Sequence, residues 1–235
     1  MDFSVVIPFY NEEENISFLI QEIIKSCTAV SEEYEIIAVD DGSLDNTFIK
    51  LKNEKNESSK LRIISLEKRS GQSAALWAGI HNSTSDIIVM MDGDGQNDPI
   101  DIPRMLELIK KNDAVFGWRK KRNDPFIKRI SSKIANSVRI FILGVDVHDT
   151  GCGLKVIKKH LLLDLFPFKG IHRFFPSLLK MKNTKFIETE VNHRPRKKGK
   201  TKYNVTNRVF TAFSDLIAVK WMQKKKICYK VKEIL

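Results

Sequence analysis

Five short apolar runs, alternating with polar turns and helical segments, occupy the first 117 residues. Phe3-Ser-Val-Val-Ile-Pro-Phe-Tyr is rich in β-branched residues and reads as a buried strand. Asn11-Glu-Glu-Glu has the acidity of a helix first turn, and apolar residues then recur at Ile16, Leu19, Ile20, Ile23 and Ile24. Further strands are expected at Glu35-Ile-Ile-Ala-Val-Asp-Asp, Leu61 to Leu66, Asp86-Ile-Ile-Val-Met-Met-Asp and Ala114-Val-Phe-Gly. A helical segment at Gly71-Gln-Ser-Ala-Ala-Leu-Trp-Ala-Gly follows the third, and a helix start near Pro99 follows the fourth. Strands alternating with helices predict an α/β fold: a doubly wound, mostly parallel sheet with helices on both faces.

Beyond residue 117 the pattern changes. Ile130, Ile134, Val138 and Phe141 mark one face of a helix whose other face carries Arg129, Lys133 and Arg139. A second amphipathic stretch, Val205 to Met222, sets Val209, Phe213, Leu216, Ile217 and Trp221 on one side. The expected organisation is a catalytic domain over 1–204, then an amphipathic helix and basic tail over 205–235, suited to associating with a membrane.

Charge follows the same division. Residues 1–117 carry 11 Lys and Arg against 21 Asp and Glu, net −10, and residues 118–235 carry 29 against 8, net +21. A basic half of that size points to a polyanionic partner: nucleic acid, anionic lipid or a phosphorylated substrate. Its bland alternative is a solvated, Lys-rich surface. Cys27, Cys152 and Cys228 have no metal-ligand spacing and suggest reduced thiols in a cytoplasmic protein. Met1 leads directly into a strand, so no signal peptide is expected. Ile140 to Val145 is far shorter than the roughly 20 residues of a spanning helix, and no transmembrane segment is expected.

In a doubly wound sheet, ligands gather beyond the carboxyl ends of the strands. Three acidic turns fall there: Asn11-Glu12, Asp40-Asp41 and Asp92-Gly-Asp-Gly-Gln96. Converging carboxylates repel unless a cation joins them. Asp92, Asp94 and the Gln96 carbonyl oxygen are hard ligands suited to Mg²⁺ or Mn²⁺ bridging to a diphosphate. An isolated Asp-x-Asp pair is usually a solvated turn or cap; this one ends an apolar strand beside two further acidic turns. No phosphate-binding glycine loop is present, which counts against a P-loop or dinucleotide enzyme. The five histidines lack metal spacing, and no serine or cysteine nucleophile sits in an elbow.

Val5-Val-Ile-Pro-Phe-Tyr-Asn-Glu, Val39-Asp-Asp-Gly-Ser-Leu-Asp-Asn-Thr and Asp92-Gly-Asp-Gly-Gln resemble the family 2 inverting glycosyltransferases of GT-A fold, among them dolichol-phosphate mannose synthases and bacterial polyprenyl-phosphate enzymes. Gly117-Trp-Arg119, Arg129-Ile-Ser-Ser132 with Asn136, Asp149-Thr-Gly-Cys-Gly-Leu-Lys, His172-Arg-Phe-Phe-Pro and His193-Arg-Pro-Arg-Lys-Lys-Gly-Lys-Thr-Lys-Tyr continue the likeness in order. It covers about residues 3 to 203. Phe9 and Thr201 stand where similar proteins often carry Thr and Ser, and the pair of C-terminal membrane helices found in many relatives is missing.

The resemblance implies transfer of one sugar from a UDP- or GDP-linked donor to a polyprenyl phosphate, with inversion and a divalent metal. Pro8, Tyr10, Asn11 and Glu12 would line the nucleoside pocket, with Asp40 accepting a hydrogen bond from the base. Asp41 and Gly71 join this donor-binding set. Asp92 would face the ribose and metal, and Asp94 and Gln96 would ligate the metal. Arg196 would close over the diphosphate, supported by Lys202. Arg119, Arg129 and Ser132 would hold the acceptor phosphate, with Asp149 a positioning group rather than a titrating base. Lys197, Lys198 and Lys200 read as surface charge. The expected location is the cytoplasmic face of the membrane, peripheral on an anionic surface, with a membrane-embedded partner protein admitted and no nucleic acid. One alternative is the same fold using a hydroxyl acceptor in cell-surface polysaccharide or glycolipid synthesis, which needs a carboxylate base near Asp149. The other is a non-catalytic nucleic-acid-binding protein, which leaves the acidic turns unexplained and lacks interleaved aromatic and basic residues.

Overall fold

The computed structural model describes residues 2–120, 136–196, 205–227 and 233. Among them a seven-stranded sheet forms the centre. It is built from β1 (Phe3–Phe9), β2 (Tyr34–Asp40), β3 (Leu61–Ser65), β4 (Ile87–Met90), β5 (Ala114–Trp118), β6 (Lys155–Lys158) and β7 (Phe186–Glu190). The spatial order is β3-β2-β1-β4-β6-β5-β7. β6 runs antiparallel to both neighbours, β4 and β5, and every other pairing is parallel. The sheet is therefore mostly parallel, as the alternation predicts.

Consecutive strand residues point to opposite faces, and both faces are apolar. Val5, Ile7, Ile36, Ala38 and Val89 join one core, under α1 (Ile16–Thr28) and α4 (Ile102–Ile109). Val6, Ile37, Val39, Ile88 and Met90 join the other, under α3 (Gln72–Asn82), α6 (Lys159–Leu163) and α7 (Phe175–Met181). Double-sided burial explains why these strands read as unbroken apolar runs. Gly79 on α3 brings helix and sheet together; a Cβ there would stand 2.3 Å from a methyl of Val6. α2 (Thr47–Glu57) flanks the β2–β3 edge.

Two expectations change. α1 starts at Ile16, so Glu12 to Glu14 precede the helix instead of forming its first turn. Asn11 turns the chain with φ +50°, a left-handed conformation that asparagine tolerates. The helix α5, described over 136–143, shows its apolar residues to the outside. Val138 and Phe141 face outward, Phe141 at 90% exposure, while Arg139 is half-buried and hydrogen-bonded inward. Ile130, Ile134, Arg129 and Lys133 lie outside the described residues.

α8 (Val205–Lys224) likewise splits its apolar residues between two faces. Leu216 and Val219 are buried with Met222 against them, whereas Phe213, Ile217 and Trp221 are 54%, 54% and 62% exposed. The side chain of Val209 lies outside the described ones. Gln223 Nε2 donates to the Leu143 carbonyl at 3.1 Å, which ties the end of α8 to the end of α5. Among the described residues, no helix is long and apolar enough to cross a membrane.

Candidate active site

Strand direction decides what meets at one sheet edge. β1 to β5 and β7 all point their carboxyl ends to the same side, and antiparallel β6 offers its amino end there. The edge thus collects residues 10–12, 40–41, 92–96, 119, 149–155 and 191–196. Register confirms the alignment: Phe9 pairs with Asp40, Met90 with Lys155, and Trp118 with Glu190.

Two of the three acidic turns are internally satisfied. The Asp41 carboxylate accepts the backbone N–H of Ser70 at 2.7 Å and of Gly71 at 2.9 Å, so both residues act in tying the 70–71 turn to β2. Asp40 accepts Ser43 N–H at 3.1 Å and the Ser65 hydroxyl at 3.4 Å. Glu12 accepts Asn15 Nδ2 at 2.6 Å and Arg196 Nη2 at 2.5 Å. Backbone amides, hydroxyls and the Arg196 guanidinium offset most of the charge that these turns bring together.

Asp94 remains strained electrostatically. Burial, and then the neighbouring Asp92 charge, push the Asp94 carboxyl up from 3.8 to about 6. Arg196 Nη1 lies 3.9 Å from Asp94, too far for more than partial relief. Asp92 accepts Gln72 Nε2 at 2.7 Å. Gly153 packs directly behind it, where a Cβ would stand 2.2 Å from Asp92 Oδ2. Gln96 donates its N–H to Asp94 at 3.1 Å, and its main-chain carbonyl accepts Arg194 N–H at 2.9 Å. Gln96 can offer a metal either its side-chain amide oxygen or the second lone pair of that carbonyl. Among the described residues no three His, Cys, Asp or Glu side chains group as a metal site. Two neighbouring carboxylates and an amide make an incomplete, all-oxygen donor set, which fits Mg²⁺ or Mn²⁺ completed by substrate phosphates.

Tyr10 follows β1, and the Arg69 guanidinium stacks over its ring at 4.3 Å. Pro8 lies within β1, paired with Val39. Asn11 accepts Leu44 N–H through Oδ1 at 2.7 Å, joining the β1 and β2 turns.

Arg119, at the end of β5, grips Asp149 with two parallel hydrogen bonds, Nε to Oδ2 at 2.7 Å and Nη2 to Oδ1 at 3.0 Å. Burial works against the arginine charge, but this pairing overcomes it and holds the guanidinium firmly protonated. Glu188 caps the same turn by accepting the backbone N–H of His148 and Asp149. Arg129, Ser132 and Lys202 lie outside the described residues.

Two residues assigned no role from sequence sit at the centre. Gln72 holds Asp92, and Lys155 is buried beneath Asp92, Asp149 and Arg119, its ammonium bonded to the Cys152 carbonyl. Burial lowers the lysine's affinity for its proton, and the nearby Asp92 and Asp149 charges offset part of that. Lys155 closes the Asp149-to-Lys155 motif, but nothing in sequence periodicity flags a charged residue opening a central strand. Cys152 is fully buried, and burial pushes its thiol up to about 11, so it is an inert packing group.

Residues 4–166 match the sequence pattern of the family described as Glycosyl transferase family 2. The dodecaprenyl-phosphate galacturonate synthase of Rhizobium johnstonii is 34% identical over 232 residues, 96% of this chain and 68% of that protein. The undecaprenyl-phosphate 4-deoxy-4-formamido-L-arabinose transferase of Proteus mirabilis is 35% identical over 203 residues, 86% of this chain and 62% of that protein. The chain thus spans about two thirds of the length of these relatives. Among solved structures, glucosyl-3-phosphoglycerate synthase from Mycobacterium tuberculosis, in complex with Mn²⁺ and UDP-glucose, superposes with a TM-score of 0.68 at 20% identity. That alignment covers 94% of this chain and 78% of the other, and the likeness establishes the shared GT-A fold.

Proposed function

The chain belongs to glycosyl transferase family 2 and is a glycosyltransferase, and we propose that it moves one sugar from a UDP- or GDP-linked donor to the phosphate of a polyprenyl phosphate, with inversion at the anomeric carbon. The observation that carries this reading is the state of Asp149. Both of its oxygens are engaged by Arg119, and the residue is 3% exposed. A hydroxyl acceptor needs a positioned base to take its proton. A phosphate monoester has a second pKa of about 6 and is largely dianionic at neutral pH, so it needs orientation instead. A carboxylate locked on arginine suits the second case and not the first.

In this reaction a phosphate oxygen attacks the anomeric carbon and forms a new C–O bond. The bond to the donor diphosphate breaks, and its electron pair leaves on the nucleoside diphosphate. Pro8, Tyr10, Asn11, Glu12 and Asp40 would bind the nucleoside. Arg196 is within reach of both Glu12 and Asp94, and would exchange those contacts for the diphosphate. Arg119, with Arg129 and Ser132, would hold the acceptor in line, and Lys202 would support Arg196. Mg²⁺ or Mn²⁺ on Asp92, Asp94 and Gln96 would supply Lewis-acid charge against the leaving diphosphate. The Mn²⁺ and UDP-glucose in the solved structure of like fold support this donor and metal class.

The outward stripe of Phe213, Ile217 and Trp221, with Lys220, Lys224, Lys225 and Lys226 along the same helix and the exposed Val138 and Phe141 on α5, supports peripheral docking on an anionic membrane at its inner face. The test is a panel of labelled nucleotide sugars offered with either polyprenyl phosphate or the matching free polyprenol. Label should enter the organic phase only with the phosphate. Comparable transfer to the alcohol would overturn the assignment.

A further inference from the structure

The segment that carries Arg196 is fastened to the 92–98 turn before it reaches the site. The Arg194 main-chain N–H donates to the Gln96 carbonyl at 2.9 Å, and Asn97 and His193 form an antiparallel bridge alongside. The Asn192 N–H donates to Asp101 Oδ2 at 2.7 Å. The Arg194 guanidinium then spans two carboxylates, Nη1 to Glu22 Oε2 and Nη2 to Asp98 Oδ1, each at 2.6 Å. Asp98 Oδ1 also accepts the Ile100 N–H at 3.1 Å, which holds that carboxylate from its own side of the turn.

Helix α1 is the shared base of these contacts. Gly95, at φ +72°, lies so close to Phe18 that a Cβ there would stand 2.6 Å from the ring. Glu22 is four residues beyond Phe18 on the same helix, and residues at that spacing share a face. The turn that offers Asp94 and Gln96 and the segment that carries Arg196 therefore rest on one face of α1, and Arg194 joins them. The side chains of Arg194 and Asp98 are 26% and 12% exposed, so their pairing is shielded better than an open surface ion pair.

Pro195 is the link between Arg194 and Arg196. Its ring fixes its own φ and biases the preceding Arg194 toward extended backbone, so an anchored Arg194 limits where Arg196 can reach. Arg196 itself bonds Glu12 at 2.5 Å and lies 3.9 Å from Asp94, groups that stand where donor and metal would bind. Donor binding would draw Arg196 off them. Neither carboxylate partner of Arg194 belongs to that set, so its grip on Glu22 and Asp98 persists while Arg196 changes partners.

We propose that Arg194 is a positioning residue for sugar transfer: anchored on Glu22 and Asp98, it holds the 92–98 turn and, through Pro195, sets Arg196 against the diphosphate, so that divalent metal and nucleoside diphosphate bind cooperatively. The proposal rests on the glycosyltransferase reading and extends it to a residue outside the ligand set. Arg194 touches neither metal nor nucleotide; it acts through the Gln96 turn on one side and through Arg196 on the other. Such coupling is reciprocal: whatever factor Mn²⁺ adds to UDP affinity, UDP adds to Mn²⁺ affinity.

The test titrates the whole chain with UDP and with GDP by calorimetry, once in Mn²⁺ and once in chelator. The ratio of the two dissociation constants is the coupling factor, and circular dichroism follows the fold. In the wild type, Mn²⁺ should tighten the preferred nucleotide about tenfold or more, within the usual range for coupled sites. Arg194→Gln should cut that factor to about threefold or less, chiefly through lost affinity in Mn²⁺. Arg194→Lys should fall between, because an ammonium lacks the fork that spans both carboxylates. Pro195→Gly keeps every Arg194 partner and loosens only the link, so it should lower the factor with the anchor whole. A purely structural clip gives a different split: Arg194→Gln melts earlier, its folded protein keeps the wild-type factor, and Pro195→Gly changes nothing. Should Arg194→Gln not fold, Arg194→Lys and Pro195→Gly carry the test. A wild-type factor in folded Arg194→Gln overturns the proposal, and so does an unchanged factor in Pro195→Gly. Wild-type protein that binds nucleotide equally with and without Mn²⁺ overturns it as well, whereas wild type that binds neither nucleotide in Mn²⁺ overturns the donor reading itself.

Discussion

Replacing Asp94 with asparagine should stabilise the metal-free protein while removing its activity. The carboxyl sits at about 6 in the folded protein against 3.8 for an ordinary aspartate. At 1.36 kcal/mol per tenfold, that difference amounts to about 3 kcal/mol of destabilisation once the group is ionised. The direction follows from proton counting. Between 3.8 and about 6 the folded chain binds more protons than the unfolded one, so stability falls as pH rises through that window. Below 3.8 both states are protonated and the difference vanishes. Asparagine keeps an oxygen for the Gln96 N–H but loses the attraction of Arg196 at 3.9 Å, which trims the net gain to about 1–3 kcal/mol. For a chain of 235 residues this is a rise in Tm of several degrees at pH 7.5, shrinking markedly by pH 4.5. Calorimetry in chelator measures it. Adding Mn²⁺ and nucleoside diphosphate should then raise the wild-type Tm and leave Asp94→Asn unmoved. An Asp94→Asn protein no more stable at pH 7.5, or a gain that does not shrink at pH 4.5, would refute the reasoning; full transfer in excess chelator would refute the metal assignment.

Arg119→Leu strands a buried carboxylate and should lose about 3–5 kcal/mol, with Asp149→Asn on the same chain recovering much of it; additive losses in a double-mutant cycle would count against the pair. Arg119→Lys should cost turnover far beyond its charge-conserving chemistry, because ammonium cannot reproduce the two-pronged grip, and kinetics with polyprenyl phosphate would reveal a neutral swap as a contradiction. Changing Phe213, Ile217 and Trp221 together to serine should release the protein from anionic vesicles without lowering its Tm, and wild-type sedimentation should weaken steeply with salt; equal binding to neutral vesicles at every salt level would exclude the electrostatic part. Gly153→Ala should displace the Asp92 carboxylate and weaken Mn²⁺-dependent UDP binding, so unchanged binding by calorimetry would mean the strand opening yields instead.

The first five strands were legible because each is buried on both faces and therefore spelled in consecutive apolar residues, as in Val5-Val-Ile and Ile36-Ile-Ala-Val. The last two were not. β6 contains only Val156 and Ile157 between lysines, and its central place comes from pairing with β4 and β5, which no local pattern encodes. β7, Phe-Ile-Glu-Thr-Glu, is a half-buried edge strand of weak apolar content. The acidic turns were equally legible as a set, yet their charge state was not. Asp41 is consumed by two backbone amides from a turn 29 and 30 residues away, a contact visible only after folding. Gln72 and Lys155 were overlooked for a related reason: their importance comes from the long-range contacts that bring them to Asp92.

Helical period alone did not tell which face of α5 and α8 is inside. Periodicity reports that apolar and basic residues lie on opposite faces; burial normally decides that the apolar one turns inward. Here Arg139 is held inward by Asn136 and Thr150, and Arg173 and Asp215 pair across the interface between α8 and the 170–173 turn. Those polar contacts displace Val138, Phe141, Phe213, Ile217 and Trp221 toward the outside. Such an arrangement is unfavourable for a helix that meets only water, since its apolar face gains nothing by folding. It becomes favourable when the substrate is a phosphate carried on a hydrocarbon chain. The headgroup then calls for cations at the sheet edge, and the chain it hangs from calls for apolar side chains where the protein meets the lipid. A hydroxyl acceptor dissolved in water would call for neither.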